Sequence, residues 1–364
     1  MLEHEIKIPA LPAKCYGIKI GTDFLGELWP GIEADFSGYN KFVVTDENLV
    51  SAGHLEKLLG QKNVPAFVIT PAGETSKKID TVVSIIETME KACLGRDTLV
   101  VALGGGTVGD IAGFAAAVFK RGVPVIQIPT TTVAQADSAV GGKTGVDSSV
   151  SKNAFGAFWH PVAVYIDVAA LKTLDDRQFK AGLVESVKHA LIADSEYFDF
   201  LENNLDAVLE RKSNVLEKVA HFNCKIKGDV VETDPYERNK RRILNYGHTI
   251  GHAVETAGGF ELLHGEAVGI GIIAAGLIEI ELKLAPQDRL DRVRQILEKL
   301  DVPVKLPGNL AEKDLIDLIK HDKKAVNKWP RFVLLKDIGQ VYCQDGQFAV
   351  DVAPEQVEKV LKRL

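Results

Sequence analysis

Between residues 41 and 167 the chain alternates short, almost uninterrupted apolar runs with longer stretches of helical period. The apolar runs are 41–45, 66–70, 97–103, 124–129 and 163–167, and helical periods fill 77–93 and 108–120 between them. A strand that is apolar on both faces has to be covered on both sides. The alternation therefore predicts a parallel sheet between layers of helix. From about residue 171 the period is helical throughout, over 177–193, 214–231, 242–256, 266–282, 289–300 and 314–319, with strand signals only at 332–335 and 347–350. The expected architecture is α/β plus α: an α/β unit over 1–172, a mainly helical unit over 173–364, and a site in the cleft between them.

In such sheets ligands bind at the carboxyl ends of the strands, so the loops that follow the strands carry the chemistry. The first is followed by Asp46, Glu47 and Asn48, and the second by Gly73-Glu74-Thr75-Ser76-Lys77. The third runs into Gly104-Gly105-Gly106-Thr107-Val108-Gly109-Asp110, and the fourth into Thr130-Thr131-Thr132, Asp137, Gly141-Gly142-Lys143-Thr144-Gly145 and Lys152-Asn153. Glycines ahead of a helix let backbone amides approach a phosphate at the positive end of the helix dipole. The run is neither the G-x-G-x-x-G fingerprint nor a P-loop. Glycine and threonine loops at successive strand ends nevertheless point to a dinucleotide pyrophosphate. Asp46 is placed to hold a ribose or to cap the next helix.

The second half holds the polar cluster. His248, His252 and His264 lie within an apolar, glycine-bearing stretch, and Glu237, Arg241 and Asn245 precede them at spacings of three to four. Read as one helix, the run aims a carboxylate, a guanidinium, an amide and two imidazoles at one place. Core packing does not explain that density of polar groups. A catalytic metal site needs ligands from more than one segment and one open position. His248 and His264 offer two nitrogens. Glu185, in the apolar stretch 181–188 with Lys188 one turn on, offers a carboxylate that burial would oblige to find a cation. His252, on the same face as His248, is then available for proton transfer.

Net charge is -7, which argues against nucleic acid or an anionic membrane as partner. Against that background the cations Arg121, Lys143, Lys152, Lys227, Arg241, Lys323 and Lys324, each in or beside a glycine-rich or polar motif, suggest a small phosphate- or carboxylate-bearing substrate. The four cysteines, Cys15, Cys93, Cys224 and Cys343, form no close pair, and a reducing cytoplasmic setting fits them. No signal peptide or membrane span is expected: the longest apolar run, 267–278, is too short to cross a bilayer.

From about Phe42 to Leu335 these motifs, in order, resemble the 3-dehydroquinate synthase family of sugar phosphate cyclases. The resemblance rests on 104–110, Arg121-Gly122, Pro129-Thr130-Thr131, Asp137-Ser138, 141–145, Lys152-Asn153, Gly156-Ala157-Phe158, 171–174, Glu185 with Lys188, Leu244-Asn245-Tyr246-Gly247-His248-Thr249, Gly251-His252, Leu263-His264-Gly265-Glu266-Ala267 and Asp322-Lys323-Lys324. It implies an N-terminal NAD-binding α/β domain and a C-terminal helical domain with Zn2+ or Co2+ on Glu185, His248 and His264. NAD would contact Asp46, Asn48, Glu74, Lys77, Gly105, Gly106, Thr107, Asp110, Thr130, Thr131, Lys152 and Thr173. Substrate would contact Asp137, Lys143, Asn153, Lys227, Arg241, Asn245, His252 and one of Lys323 or Lys324. Catalysis would rest on His252, Glu237, Lys143, Asn245 and Arg241. The residue matching Arg121 reaches the partner's site in the family, which implies a homodimer. The implied reaction is that of a phosphate-eliminating lyase of the shikimate pathway to aromatic amino acids. It converts 3-deoxy-D-arabino-heptulosonate 7-phosphate to 3-dehydroquinate and phosphate, by transient oxidation, β-elimination, re-reduction and aldol closure. The chain departs from the family at Ser149-Val150-Ser151, where proline-leucine-glycine is common, and at Arg238-Asn239-Lys240, where a glycine is usual. Inosose- and valiolone-forming cyclases share the motifs, and Asn245 with Gly251-His252 favours the dehydroquinate branch. A glycerol-dehydrogenase-like metal alcohol dehydrogenase shares the architecture and the glycine loop, without need of the phosphate-binding lysines.

Overall fold

The structure is a computed structural model that describes residues 13–259, 261–320 and 329–364. It opens with β1 (Gly17–Gly21), α1 (Leu28–Asp35), β2 (Asn40–Asp46), α2 (Glu47–Ser51), α3 (His54–Leu59) and β3 (Ala66–Ile69). There follow α4 (Ile79–Lys91), β4 (Thr98–Gly104), α5 (Gly106–Val118), β5 (Val125–Pro129), β6 (Lys143–Val146), β7 (Phe155–Phe158) and β8 (Ala163–Asp167). Thereafter the chain is mainly helical: α6 (Asp176–Ala193), α7 (Ser195–Leu209), α8 (Ser213–Thr233), α9 (His248–Ala257), α10 (His264–Glu281), α11 (Gln287–Lys299) and α12 (Glu312–Lys320). A short pair, β9 (Leu335–Asp337) and β10 (Gln340–Val341), and α13 (Pro354–Leu361) close it.

Six strands form one parallel sheet in the order β1-β8-β5-β4-β2-β3. Successive side chains on a strand point to opposite faces, and here both faces are covered. Phe42, Val44, Val100 and Ala102 meet α4 and α5 on one side. Val43, Leu99, Val101, Ile126 and Ile128 meet α1 and α3 on the other. On β8 the alternation joins two cores: Ala163 and Tyr165 belong to the second layer, while Val164 and Ile166 pack into the core of the helical half. The expected α/β-plus-α architecture is therefore the observed one.

Helix α10 is the axis of the helical half, buried continuously from Gly265 to Glu279. Two glycines let its neighbours approach. A Cβ on Gly265 would lie 1.8 Å from the Ala181 carbonyl oxygen of α6, and one on Gly271 would lie 1.9 Å from the Gly247 carbonyl oxygen before α9. No side chain larger than hydrogen fits at either contact. These approaches draw α6, α9 and α10 together where Glu185, His248 and His264 lie.

The expected helix 242–256 is broken. Residues Lys240–Asn245 form a 3-10 turn, Tyr246 is extended, Gly247 is left-handed at φ 75°, and α9 starts only at His248. Glu237, with φ 56°, lies in the loop before the turn. Glu237, Arg241 and Asn245 therefore lie on a separate element from His248 and His252, not on one helix face. Their loop is fastened by Asp234, whose carboxylate accepts from the backbone N–H groups of Arg238 (2.8 Å), Asn239 (2.7 Å) and Arg241 (3.0 Å). The strand signals at 332–335 and 347–350 yield β9 and isolated bridges, Phe332 with Val350 and Gln347 with Gln344, not two full strands. Among the described residues no helix is long and apolar enough to cross a membrane.

Candidate active site and metal centre

Glu185 is the most constrained carboxylate at the site. It is 1 % exposed on α6, and its Oε2 receives the ammonium of Lys188, equally buried one turn on. Its Oε1 is buried and makes no hydrogen bond. That oxygen faces His264 Nε2 at 3.4 Å and His248 Nε2 at 3.6 Å. One donor atom from each of the three lies within 4.8 Å of the others. An orphaned carboxylate oxygen between two imidazole nitrogens is the donor set of a divalent cation with an open position.

The protonation states agree. Burial, with Lys188 beside it, holds His248 well below its usual range, so it is neutral. Its Nδ1 donates to the Tyr246 carbonyl at 3.0 Å, which leaves the Nε2 lone pair toward Glu185. His264 behaves oppositely: burial opposes its charge, but Glu185 and Glu255 raise it to about 9. The cluster thus calls for positive charge, which a metal ion meets directly.

Two neighbouring groups also have metal-like spacing, His252/Glu255/His264 and Asp137/Glu185/His189. In the first, Glu255 is already paired with Lys152 at 2.9 Å. In the second, Asp137 Oδ1 is paired with Lys227 at 2.6 Å and Glu185 with Lys188. Ammonium groups pair with these carboxylates, and among the described residues it is the Glu185, His248 and His264 trio that holds an unmet acceptor aimed at two nitrogens.

The nucleotide-type residues gather at the carboxyl edge of the sheet. Lys77 pairs with Asp110 at 2.7 Å, Thr107 Oγ1 donates to Glu74 Oε2 at 3.2 Å, and Lys152 stands 3.5 Å from Glu74. Gly105 caps α5 beside Thr131, and Gly106 begins the helix. Thr130 Oγ1 is buried without a hydrogen-bond partner. Asp46 ends β2 and caps α2, accepting from Leu49 N–H at 3.0 Å, with Asn48 inside that helix. Thr173 bonds to His54 at 2.6 Å.

Among the substrate-type residues, Glu237 is the hub: it receives Lys143 and, on its other oxygen at 2.7 Å, the Asn245 amide. Arg241 is only 1 % exposed and donates to the carbonyls of Gly141 (3.0 Å) and Pro235 (2.7 Å). Asp137 lies in a π-helical turn over Ala134–Ser138, and Lys227 also reaches its backbone carbonyl. Burial opposes ionisation of Asp137, but Lys227 and Lys188 keep its carboxyl low. Asn153 is left-handed (φ 52°), its N–H held by Asp147 at 2.6 Å. The ring of His252 is 5.3 Å from that of His248 and 6.0 Å from that of His264. Arg121 follows the far end of α5, about 20 Å of helix away from Gly106, and does not join the cluster. Lys323 and Lys324 lie outside the described residues.

Three groups escaped the sequence reading. Glu255 was visible in principle, seven residues after His248 and so on the same face. Lys188 is legible in the sequence as the partner of Glu185, not as part of the site. His189 carried no local signal. It is fully buried, with burial pushing it down to about 4, and it stands 3.1 Å from Asn223 Oδ1 with its Nε2 lacking a hydrogen bond.

Solved structures similar to this chain over nearly its whole length include sugar phosphate cyclases. A 2-deoxy-scyllo-inosose synthase, solved with carbaglucose-6-phosphate, NAD+ and Co2+, superposes with a TM-score of 0.86 at 28 % identity, over 96 % of this chain and 97 % of that one. The 2-epi-5-epi-valiolone synthase of Streptomyces hygroscopicus, with NAD+ and Zn2+ bound, gives 0.86 at 27 %, over 98 % of each chain. Family models for the N-terminal and C-terminal parts of 3-dehydroquinate synthase match residues 67–181 and 182–325. The 3-dehydroquinate synthase of Ruminiclostridium cellulolyticum is 44 % identical over 346 residues, 94 % of this chain and 95 % of that protein. The chain belongs to the 3-dehydroquinate synthase family.

Proposed function

We propose that the cleft converts 3-deoxy-D-arabino-heptulosonate 7-phosphate to 3-dehydroquinate and phosphate, as a carbon–oxygen lyase using NAD and Zn2+ or Co2+. The observation that carries this is the unmet Glu185 oxygen facing two imidazole nitrogens, set beside the glycine edge of the sheet. The greater likeness to dehydroquinate synthases than to the inosose and valiolone enzymes favours this substrate over theirs. Glu185, His248 and His264 would hold the metal, and the edge from Asp46 to Thr131, with Lys152 and Thr173, would hold NAD. Once bound, the cation supplies Lewis acidity toward a substrate hydroxyl and NAD supplies hydride acceptance and return.

The chain's own residues do the rest. His252, exposed on α9, moves the proton of that hydroxyl, helped by Glu237, which accepts a hydrogen bond from the Asn245 amide. Lys143 offers an ammonium on a hairpin made of β6 and β7, Asn153 lies on the same hairpin, and together they hold the phosphate as it departs. Arg241 and Lys227 fix the floor under Gly141 and Asp137, so the substrate meets groups already in place. The α/β unit would end at 172 and the helical unit begin at 173, a division supported by the 3-10 turn Val168–Thr173, which follows the last strand of the parallel sheet. Arg121, remote from its own cleft, serves the site of a second copy in a homodimer.

The test uses purified protein with the heptulosonate phosphate, catalytic NAD and Zn2+ or Co2+. Phosphate release with dehydroquinate formed, no net NADH, and loss on chelation support the reading. Cyclisation of glucose 6-phosphate or sedoheptulose 7-phosphate instead would move the chain to a sister branch. Steady NADH accumulation with a simple polyol would sink the cyclase reading.

A further inference from the structure

We infer that Glu255 is a positioning residue: it orients the metal ligand His264 and, through Lys152, ties that ligand to the nucleotide edge of the sheet. The link to the nucleotide rests on the proposed reading of that edge. The orientation of His264 does not.

Glu255 lies on α9 and is 6 % exposed. Its Oε2 stands 3.7 Å from His264 Nδ1, while His264 Nε2 points to Glu185. Its Oε1 accepts from Lys152 at 2.9 Å. A carboxylate behind the distal nitrogen of a ligating imidazole selects the tautomer, fixes the ring plane and raises the basicity of the ligating nitrogen. Because α10 begins at His264, no earlier helical turn supports that ring, and Glu255 is the group that faces its Nδ1.

Lys152 extends the chain of contacts across the cleft. It belongs to the hairpin connection of the sheet half, and it also stands 3.5 Å from Glu74, whose other oxygen accepts from Thr107 at the start of α5. One ammonium is thus shared by a carboxylate that faces the metal trio and one at the helix mouth. A nucleotide that alters the hold of Glu74 on Lys152 alters the charge left on Glu255 for His264. By linkage, metal and nucleotide must then change each other's affinity by the same factor.

The experiment titrates metal-free full-length protein with Zn2+ against a chromophoric chelator, with and without saturating NAD, and records the visible spectrum of the Co2+ form. Glu255→Gln is expected to weaken Zn2+ binding about 10- to 100-fold and to alter the cobalt spectrum. Glu255→Asp, which keeps the charge on a shorter arm, recovers part of both. Zn2+ affinity within twofold of wild type and an unchanged cobalt spectrum in both variants would overturn the positioning role. In wild type NAD is expected to shift Zn2+ affinity by roughly fivefold or more, and Lys152→Met to abolish the shift. A shift that survives in Lys152→Met would overturn the link. A wild type that binds no NAD would instead sink the nucleotide reading and the link with it, leaving the Glu255 variants to decide the positioning role alone.

Discussion

Replacing Lys188 with methionine isolates the charge balance on which the metal centre rests. Lys188 and Glu185 are each 1 % exposed, and Lys188 makes the hydrogen bond that Glu185 Oε2 accepts. Methionine keeps the volume and removes the charge, leaving a buried carboxylate beside two imidazoles. Removing one partner of a buried pair costs about 3–5 kcal/mol. The entropy of unfolding for a helical unit of roughly 190 residues is about 0.4 kcal/mol/K, so the metal-free variant should melt on the order of 10 °C lower. Without Lys188 the strongest influence that holds the Glu185 carboxyl below its usual range is gone, so its folded-state value rises toward the unfolded one and the stability contributed by its ionisation shrinks. The loss is therefore absent at low pH, where the carboxyl is protonated in either protein, grows as pH rises through the folded-state values, and is complete above them. With Zn2+ bound the missing charge is supplied, so the rise in melting temperature on adding Zn2+ should be larger in the variant than in wild type. Calorimetry at pH 5.5 and 8, with chelator or with Zn2+, reads all of this. A metal-free variant that melts within about 2 °C of wild type at pH 8, or an equal Zn2+ increment in both proteins, would refute the reasoning.

His189→Gln addresses a second buried group. His189 is held down to about 4 by burial, so between pH 6.5 and 4 the unfolded chain takes up a proton that the folded chain refuses. Lowering the pH from 7 to 5 should cost wild type about 2 kcal/mol through this residue, and urea unfolding should show a shallower pH slope in the variant. Gly265→Ala places a Cβ 1.8 Å from the Ala181 oxygen, so α10 must retreat from α6. Zn2+ affinity should fall at least tenfold by chelator competition, and affinity unchanged from wild type would contradict the role given to that contact. Asp234→Ala frees the backbone that Asp234 holds at Arg238, Asn239 and Arg241. It should lower kcat/KM by about 10- to 100-fold, since misplacing a positioned group is costly, while Zn2+ affinity by the same competition stays within twofold.

The strands of the sheet were legible because their two-sided apolar pattern admits one environment: 163–167 was read as a strand and is one, and 41–45, 66–70, 97–103 and 124–129 were displaced by only a residue or two. Glu185 was legible as a buried carboxylate because its neighbours on α6 are apolar, and the structure buries it fully. The break at 246–247 was not legible. The polar spacing from Glu237 to His252 is as compatible with a helix as with a turn and a helix, and the decision falls to Gly247, whose left-handed φ is set by the packing of α9 on α10. His189 was invisible for a related reason: a buried, neutral imidazole is defined by Asn223 on another helix, not by its neighbours in sequence.

The sequence by itself determined which groups this protein has to work with: a glycine-edged parallel sheet, an apolar helix with one carboxylate, three histidines and a set of cations in an acidic chain. Those follow from periodicity and composition, which are local properties. Which of these groups stand next to one another is fixed by the packing. Lys188 pairs with Glu185, Lys227 with Asp137, and Glu255 takes the far side of His264. The physical reason is that charge compensation acts over a few ångströms in a desolvated interior, and those ångströms are set by helix contacts such as Gly265 on Ala181.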